Sequence, residues 1–239
     1  MNRLRTLTGM ALHEMWISFR LIVVIGLPCL GGLLAIAVPP DLAGITAVGG
    51  AGFWYAVGAC VAIVIASGLA AGTMAHERRR GTVAWMAVRA VPRSAILLSW
   101  FVAFGLLLAT GIVLGSIGAW QAALARAEAA PDVLPFASAV GATLGAALAC
   151  VAAGLLVGTF LPTIPATLLA AVLGVVVLAV AIGTAPGGLP SPTGGIGLLA
   201  HLDGASRPVG DALRSAGVAL AATAILLVLA SVGLERSDL

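Results

Sequence analysis

The sequence predicts an all-α, polytopic membrane protein, and three observations carry that expectation. Of its 239 residues, 61% are hydrophobic and 9% charged, with a mean hydropathy of +1.16, a composition foreign to soluble domains. The apolar residues gather into six runs, at about 21–38, 53–74, 94–119, 135–160, 166–185 and 214–234, each near the roughly 20 residues a helix needs to cross hydrocarbon. The ionisable residues fall between these runs or at their ends. A single transmembrane domain over 1–239 is expected.

Before the first run, residues 3–20 place Leu4, Leu7, Met10, Ala11, Met15 and Phe19 at steps of three and four among Arg3, Arg5, His13, Glu14 and Arg20. That spacing describes an amphipathic helix lying in the interface, with Trp16 at headgroup level. The run 21–38 ends in Ala35-Ile36-Ala37, which resembles a signal cleavage site. However, the run exceeds a typical signal core and its leader is long and contains an acid, so a span is expected. Pro39-Pro40 stops it.

Gly68 and Gly72 in the second run, Gly111 and Gly115 in the third, and Gly141/Gly145 and Gly154/Gly158 in the fourth stand four apart. Small residues at that spacing let helices approach closely. Leu161-Pro162-Thr163-Ile164-Pro165 is expected to be a tight turn. From 186 to 213 the chain is rich in Gly and Pro. Its apolar piece 196–202 is too short to cross and is either re-entrant or an outer helix on the bilayer. His201, Asp203 and Asp211 near it are scattered polar residues, and no metal site is expected.

Six spans put both ends on one side. With the ends inside, nine of the twelve arginines (3, 5, 20, 78, 79, 80, 89, 93 and 236) lie inside and three (126, 207 and 214) outside. The positive-inside rule therefore predicts cytoplasmic termini in a multi-pass protein of a bacterial plasma membrane. The net charge of +3 is then a topology signal and a contact with anionic lipid headgroups. No basic stripe interleaved with aromatics points to nucleic acid.

Several chemistries are excluded. There is no lysine, so the chain has neither a P-loop lysine nor a Schiff-base nucleophile. It is expected not to be an enzyme and to hold no cofactor or metal itself. Ser67, Ser99, Ser116 and Ser138 have no span histidine to pair with, and hydroxyls in membrane helices normally bond their own backbone. Cys29, Cys60 and Cys150 stand singly in apolar runs, as small buried hydrophobes do. No acid falls in a span interior, which argues against a transporter coupled through buried charge.

The densest charge is His76–Arg93, between the second and third runs, with five arginines. Within it Val83, Trp85, Met86 and Val88 interleave with Gly81, Thr82 and Arg89, as in a short amphipathic helix on a membrane surface or in a partner's groove. The plainer reading is a basic loop that only sets topology. The order Glu77, Gly81-Thr82, Pro92-Arg93, Ile96-Leu97-Leu98 resembles the loop between the second and third spans of ATP-binding-cassette permeases of the type-2 exporter class. In that family the run is often followed by Gly-Lys; here Ser99 and Trp100 follow.

The resemblance implies a coupling helix contacting an ATPase subunit through Glu77, Arg80, Gly81, Thr82, Trp85, Met86, Pro92 and Arg93. Glu77 would brace the start of that helix, Trp85 and Met86 would be its apolar anchors, and Arg80 and Arg93 would pair with acids on the partner or with lipid phosphates. Residues 3–20 would be the family's connecting helix, with Glu14 as a further contact. It also implies two ATPase copies binding ATP and Mg, and a second permease, identical or not. The cargo would be hydrophobic or amphipathic: a drug, lipid, peptide or natural product. The competing readings are a haem-exporter-type permease of cytochrome c maturation, a secondary transporter, and a membrane scaffold with no ATPase.

Overall fold

A computed structural model describes residues 2–38, 47–80, 92–126, 132–183 and 209–236. Among these residues the chain is helical, without strands: α1 (Asn2–Ile17), α2 (Arg20–Ala37), α3 (Ala47–Arg79), α4 (Arg93–Arg126), α5 (Val133–Phe160), α6 (Thr163–Gly183) and α7 (Val209–Arg236). Arg20–Ala37, Ala51–Arg79, Arg93–Ala125, Val133–Phe160 and Val209–Arg236 are each long and apolar enough to cross a membrane, and α6 contributes a shorter apolar stretch, Thr163–Val176. The protein is an all-helical, multi-pass membrane protein. Its exposed side chains along the spans are themselves apolar, such as Leu33, Leu106, Leu168, Val172 and Val228, because lipid rather than water is the solvent they meet.

The helix α1 buries Thr8, Ala11 and Met15 at steps of three and four, but the stripe expected over 3–20 does not hold throughout: Met10 is exposed, the helix ends at Ile17, and Phe19 lies exposed beyond it. Its buried stripe rests on α4 and α2. The Ser18 hydroxyl donates to the Glu14 carbonyl at 2.8 Å and closes its last turn. Phe19 then takes a left-handed backbone, φ 57°, which is unusual for a bulky residue and costs about 1–2 kcal/mol. That single residue marks the break between α1 and α2.

Helix ends run past the apolar runs. The second span continues through Glu77 to Arg79, where the loop was expected to have begun at His76. Nothing in His76–Arg79 breaks a helix, Glu and Arg are good formers, and cations are favoured at a helix C-terminus. Likewise α4 extends through Trp120–Arg126, beyond the expected end of the third run at 119. The last span starts at Val209 rather than Arg214, with Asp211 in its first turn, where the dipole favours an acid. The helix α6 starts at Thr163, where the apolar run was expected from 166, leaving only Leu161 and Pro162 between α5 and α6, as tight a turn as expected.

The centre of the bundle is α3, which packs against α2, α4, α5 and α6, while α7 lies mainly along α5. Glycines set these approaches. A Cβ on Gly115 would collide with the Pro28 carbonyl oxygen of α2, and one on Gly154 with the Ser67 carbonyl oxygen of α3. Gly111 and Gly158 are nearly as tight, at 2.8 Å from the Ile25 oxygen and 2.5 Å from the Ala71 oxygen. Gly68 and Gly72 face Thr167 of α6, and Gly145 faces Ala219 of α7. Gly141 meets nothing within 4 Å, so its pairing with Gly145 is not an interface.

Two buried hydroxyls fasten the same helices. The only tyrosine, Tyr55, donates to the Ile112 carbonyl of α4 at 2.6 Å. Ser67 donates to the Cys150 carbonyl of α5 at 2.9 Å. Ser99, Ser116 and Ser138 bond carbonyls of their own helices, as expected. Ser67 departs from that expectation because the glycine-packed α5 backbone comes within its reach.

Candidate functional site

The candidate site is the end of the bundle where α2, α4 and α6 begin and α3, α5 and α7 finish. It is built from helix termini. The last carbonyls of a helix have no intrahelical partner and carry the negative end of its dipole, so cations gather there. Three arginines crosslink the helices at this end.

Arg20, the first residue of α2, reaches across to α3 and donates from Nη1 to the Thr73 hydroxyl at 2.6 Å. Arg78, in the last turn of α3, donates from Nη1 to the Gly158 carbonyl of α5 at 3.3 Å. Arg93, the first residue of α4, donates from Nη1 to the carbonyls of Leu234 at 3.4 Å and Glu235 at 3.3 Å in the last turn of α7. Beside these ties the Phe160 ring covers Gly233, so closely that a Cβ there would sit 2.5 Å from its Cζ. Guanidinium groups suit this work because they are always charged and carry several donors in a fixed plane.

Of the residues expected to meet a partner, Glu14, Glu77, Arg80, Pro92 and Arg93 are described. Gly81, Thr82, Trp85 and Met86 lie outside the described residues, as do His201 and Asp203. Glu77 is only 5% exposed and lies in the last turn of α3; the segment it was expected to brace lies outside the described residues. Arg80 is exposed, and its amide donates to the His76 carbonyl at 3.0 Å, prolonging the helical turn. Pro92 is exposed, and its carbonyl accepts from the Ala95 amide at 2.9 Å, opening α4. Glu14 is half-buried on α1, and Arg79 and Arg236 are exposed with Arg80.

The structure therefore divides the arginines. Arg20, Arg78 and Arg93 are bonded into the bundle, whereas Arg79, Arg80 and Arg236 present charge outward. Sequence reading assigned Arg93 an outward role and missed its inward one. It also missed Arg20, Arg78, Thr73 and Gly158. For Arg93 the available signal was position: an arginine opening a helix beside the expected C-terminus of an antiparallel neighbour has terminal carbonyls within reach; Arg20, which bonds a hydroxyl, and Arg78, which closes its helix, carried no such signal.

At the other end, Arg214 and Asp211 form an exposed pair at 3.7 Å within α7, worth at most about 1 kcal/mol. Among the described residues no group of three or more His, Cys, Asp or Glu comes together to hold a metal, and the three cysteines are free thiols. No protein-family model matches the chain, and no curated protein matches it.

Proposed function

We propose that the chain is the permease subunit of an ATP-driven exporter, moving a hydrophobic or amphipathic molecule outward with energy from a separate ATPase subunit that binds ATP and Mg. The observation that carries this reading is the connection between α3 and α4. It holds Gly81-Thr82, Trp85, Met86 and Pro92-Arg93 in the order of a coupling segment, and both its stems are tied into the bundle by Arg78 and Arg93. A connection that only marked topology would need charge there, but not ties to two further helices.

In this reading α6, 21 residues long and so about 30 Å at 1.5 Å per residue, is the sixth span. The basic end faces the cytoplasm of a bacterial cell, both termini lie there, and α1 rests on the inner leaflet. Two permeases and two ATPase subunits form the working unit, with the exposed Arg79, Arg80 and Arg236 available to acids of the ATPase or to lipid phosphates.

The test is nucleotide dependence. The purified chain should show no saturable ATP binding at micromolar to millimolar concentrations, because it has no lysine or glycine-rich loop for the phosphates. Co-expressed with an ATPase encoded beside it, the chain should co-purify with that subunit and stimulate its hydrolysis. Saturable binding by the chain alone, or export that proceeds without any ATPase, would overturn the proposal.

A further inference from the structure

The joint between α1 and α2 combines two features that seldom occur together. Phe19 holds a left-handed backbone, φ 57°, a conformation that suits Gly, Asn or Asp and not a bulky aromatic. Trp16, Ile17 and Phe19 are 65%, 64% and 70% exposed, so the joint presents a cluster of large apolar side chains outward. The backbone is fastened on both sides of Phe19. Before it, the Ser18 amide and hydroxyl both donate to the Glu14 carbonyl, at 3.0 and 2.8 Å. After it, Arg20 donates to the Thr73 hydroxyl of α3. Across it, the Phe19 amide donates to the Trp16 carbonyl at 3.2 Å, and the Val23 amide to the Phe19 carbonyl at 3.4 Å.

We infer that Trp16, Ile17 and Phe19 form a knuckle inserted into the bilayer, and that insertion of the Phe19 ring holds the joint in its strained form. Depth argues for lipid as the occupant. Thr73 precedes Arg79 by six residues on α3, about 9 Å at 1.5 Å per residue. Arg20 reaches down to that level, so the joint lies on the bilayer side of the exposed Arg79 and Arg80. The apolar surface also continues into the first turn of α2, where Ile22 and Val23 are exposed on a membrane span. Aromatic rings favour the boundary between headgroups and hydrocarbon. The strain then has a physical reason. A left-handed residue bends the chain at one position, which brings α1 against α4 and α2 and leaves the ring at the corner. Moving that ring out of water offsets the backbone penalty. Only the membrane-spanning class is needed for this, not export.

Two measurements on the full chain in nanodiscs test it. The first locates the knuckle. Trp16 fluorescence is taken as the difference between the parent and Trp16→Phe, in lipids brominated near the top of the acyl chains. Those lipids should quench the difference at least about twofold relative to unbrominated lipid. No quenching by brominated lipid overturns the inference, and aqueous acrylamide then tells a knuckle in water from one covered by protein. The second measurement addresses the strain. Amide hydrogen exchange is followed at positions 18, 19 and 23, with residues 143–150 as the reference. Phe19→Ala keeps the left-handed penalty and loses the ring, so exchange at the joint should speed up at least about fivefold. Phe19→Gly loses both the ring and the penalty, and should stay within about twofold of the parent. Phe19→Trp keeps a ring and should behave as the parent does. Unchanged exchange in Phe19→Ala, or exchange as fast in Phe19→Gly as in Phe19→Ala, would mean that the ring does not hold the backbone, and the inference would be wrong.

Discussion

The middle of the bundle and its basic end hold the same helices together by opposite means. In the middle, α4 meets α2 at Gly111 and Gly115, and α5 meets α3 at Gly154, with backbone against backbone, a contact that Gly158 continues to the basic end. At the basic end, the contacts run through the long side chains of Arg20, Arg78 and Arg93 to a hydroxyl and to terminal carbonyls. In lipid there is no hydrophobic drive between helices, so close packing and interhelical hydrogen bonds must supply the association. Glycine contacts are short-ranged and tolerate no displacement, whereas arginine ties span distance and bend. The middle is thus suited to be a fulcrum and the end to be a place where force enters.

The largest effect should come from breaking the fulcrum. Gly115→Leu puts four carbons where a single Cβ already collides with the Pro28 carbonyl, and α2 must separate from α4. Overpacking of this kind costs roughly 1–3 kcal/mol and more when the backbone must move, so the variant should lose much of its detergent-solubilised folded fraction in a thermal-shift measurement. Gly154→Leu should behave alike at the α3–α5 contact.

A smaller effect tests a hydroxyl that joins α3 to α4 beside Gly115. Tyr55→Phe removes the bond to the Ile112 carbonyl while keeping the ring. Interhelical hydrogen bonds in membranes average about 0.6 kcal/mol, so the variant should unfold slightly earlier in a denaturant titration and keep its fold. A loss as large as that of Gly115→Leu would mean that hydrogen bonding, not close packing, dominates the middle. The smallest effect should be at Gly141, which has open space around it. Gly141→Ala should be neutral or stabilising by up to about 1 kcal/mol, through helix propensity alone, in the same titration.

That contrast also marks what could be read in the sequence. The helical, membrane-spanning class was legible because lipid imposes long apolar runs, and Gly111, Gly115, Gly154 and Gly158 were legible because a four-residue spacing puts small residues on one helix face. Gly141 carries the same spacing but no neighbour, and spacing alone cannot report what stands opposite. The helix ends were misplaced at His76–Arg79, at Trp120–Arg126 and at Val209–Leu213, because hydropathy marks where lipid ends and not where the backbone stops coiling. Charged residues with good helix propensity continue a span into water.

At the basic end the sequence showed a dense positive charge but not its division of labour. Arg93 and Leu234 are 141 residues apart, and no local pattern pairs them. Tyr55 is similar: its burial could be guessed from its place in a span, but its acceptor on α4 could not.

The central claim is that the α3–α4 connection receives work from an ATPase, and it is tested most directly at the connection's apolar residues. In the complex of the chain with its ATPase, reconstituted in vesicles, Trp85→Ala combined with Met86→Asp should leave membrane insertion and the bundle's thermal stability unchanged. Removing a buried aromatic anchor typically costs about 2 kcal/mol or more of binding, so the pair should lower co-purification of the ATPase at least about tenfold or uncouple its hydrolysis from export. A double variant that assembles, hydrolyses and exports like the parent would contradict the account and reduce the connection to a topology signal.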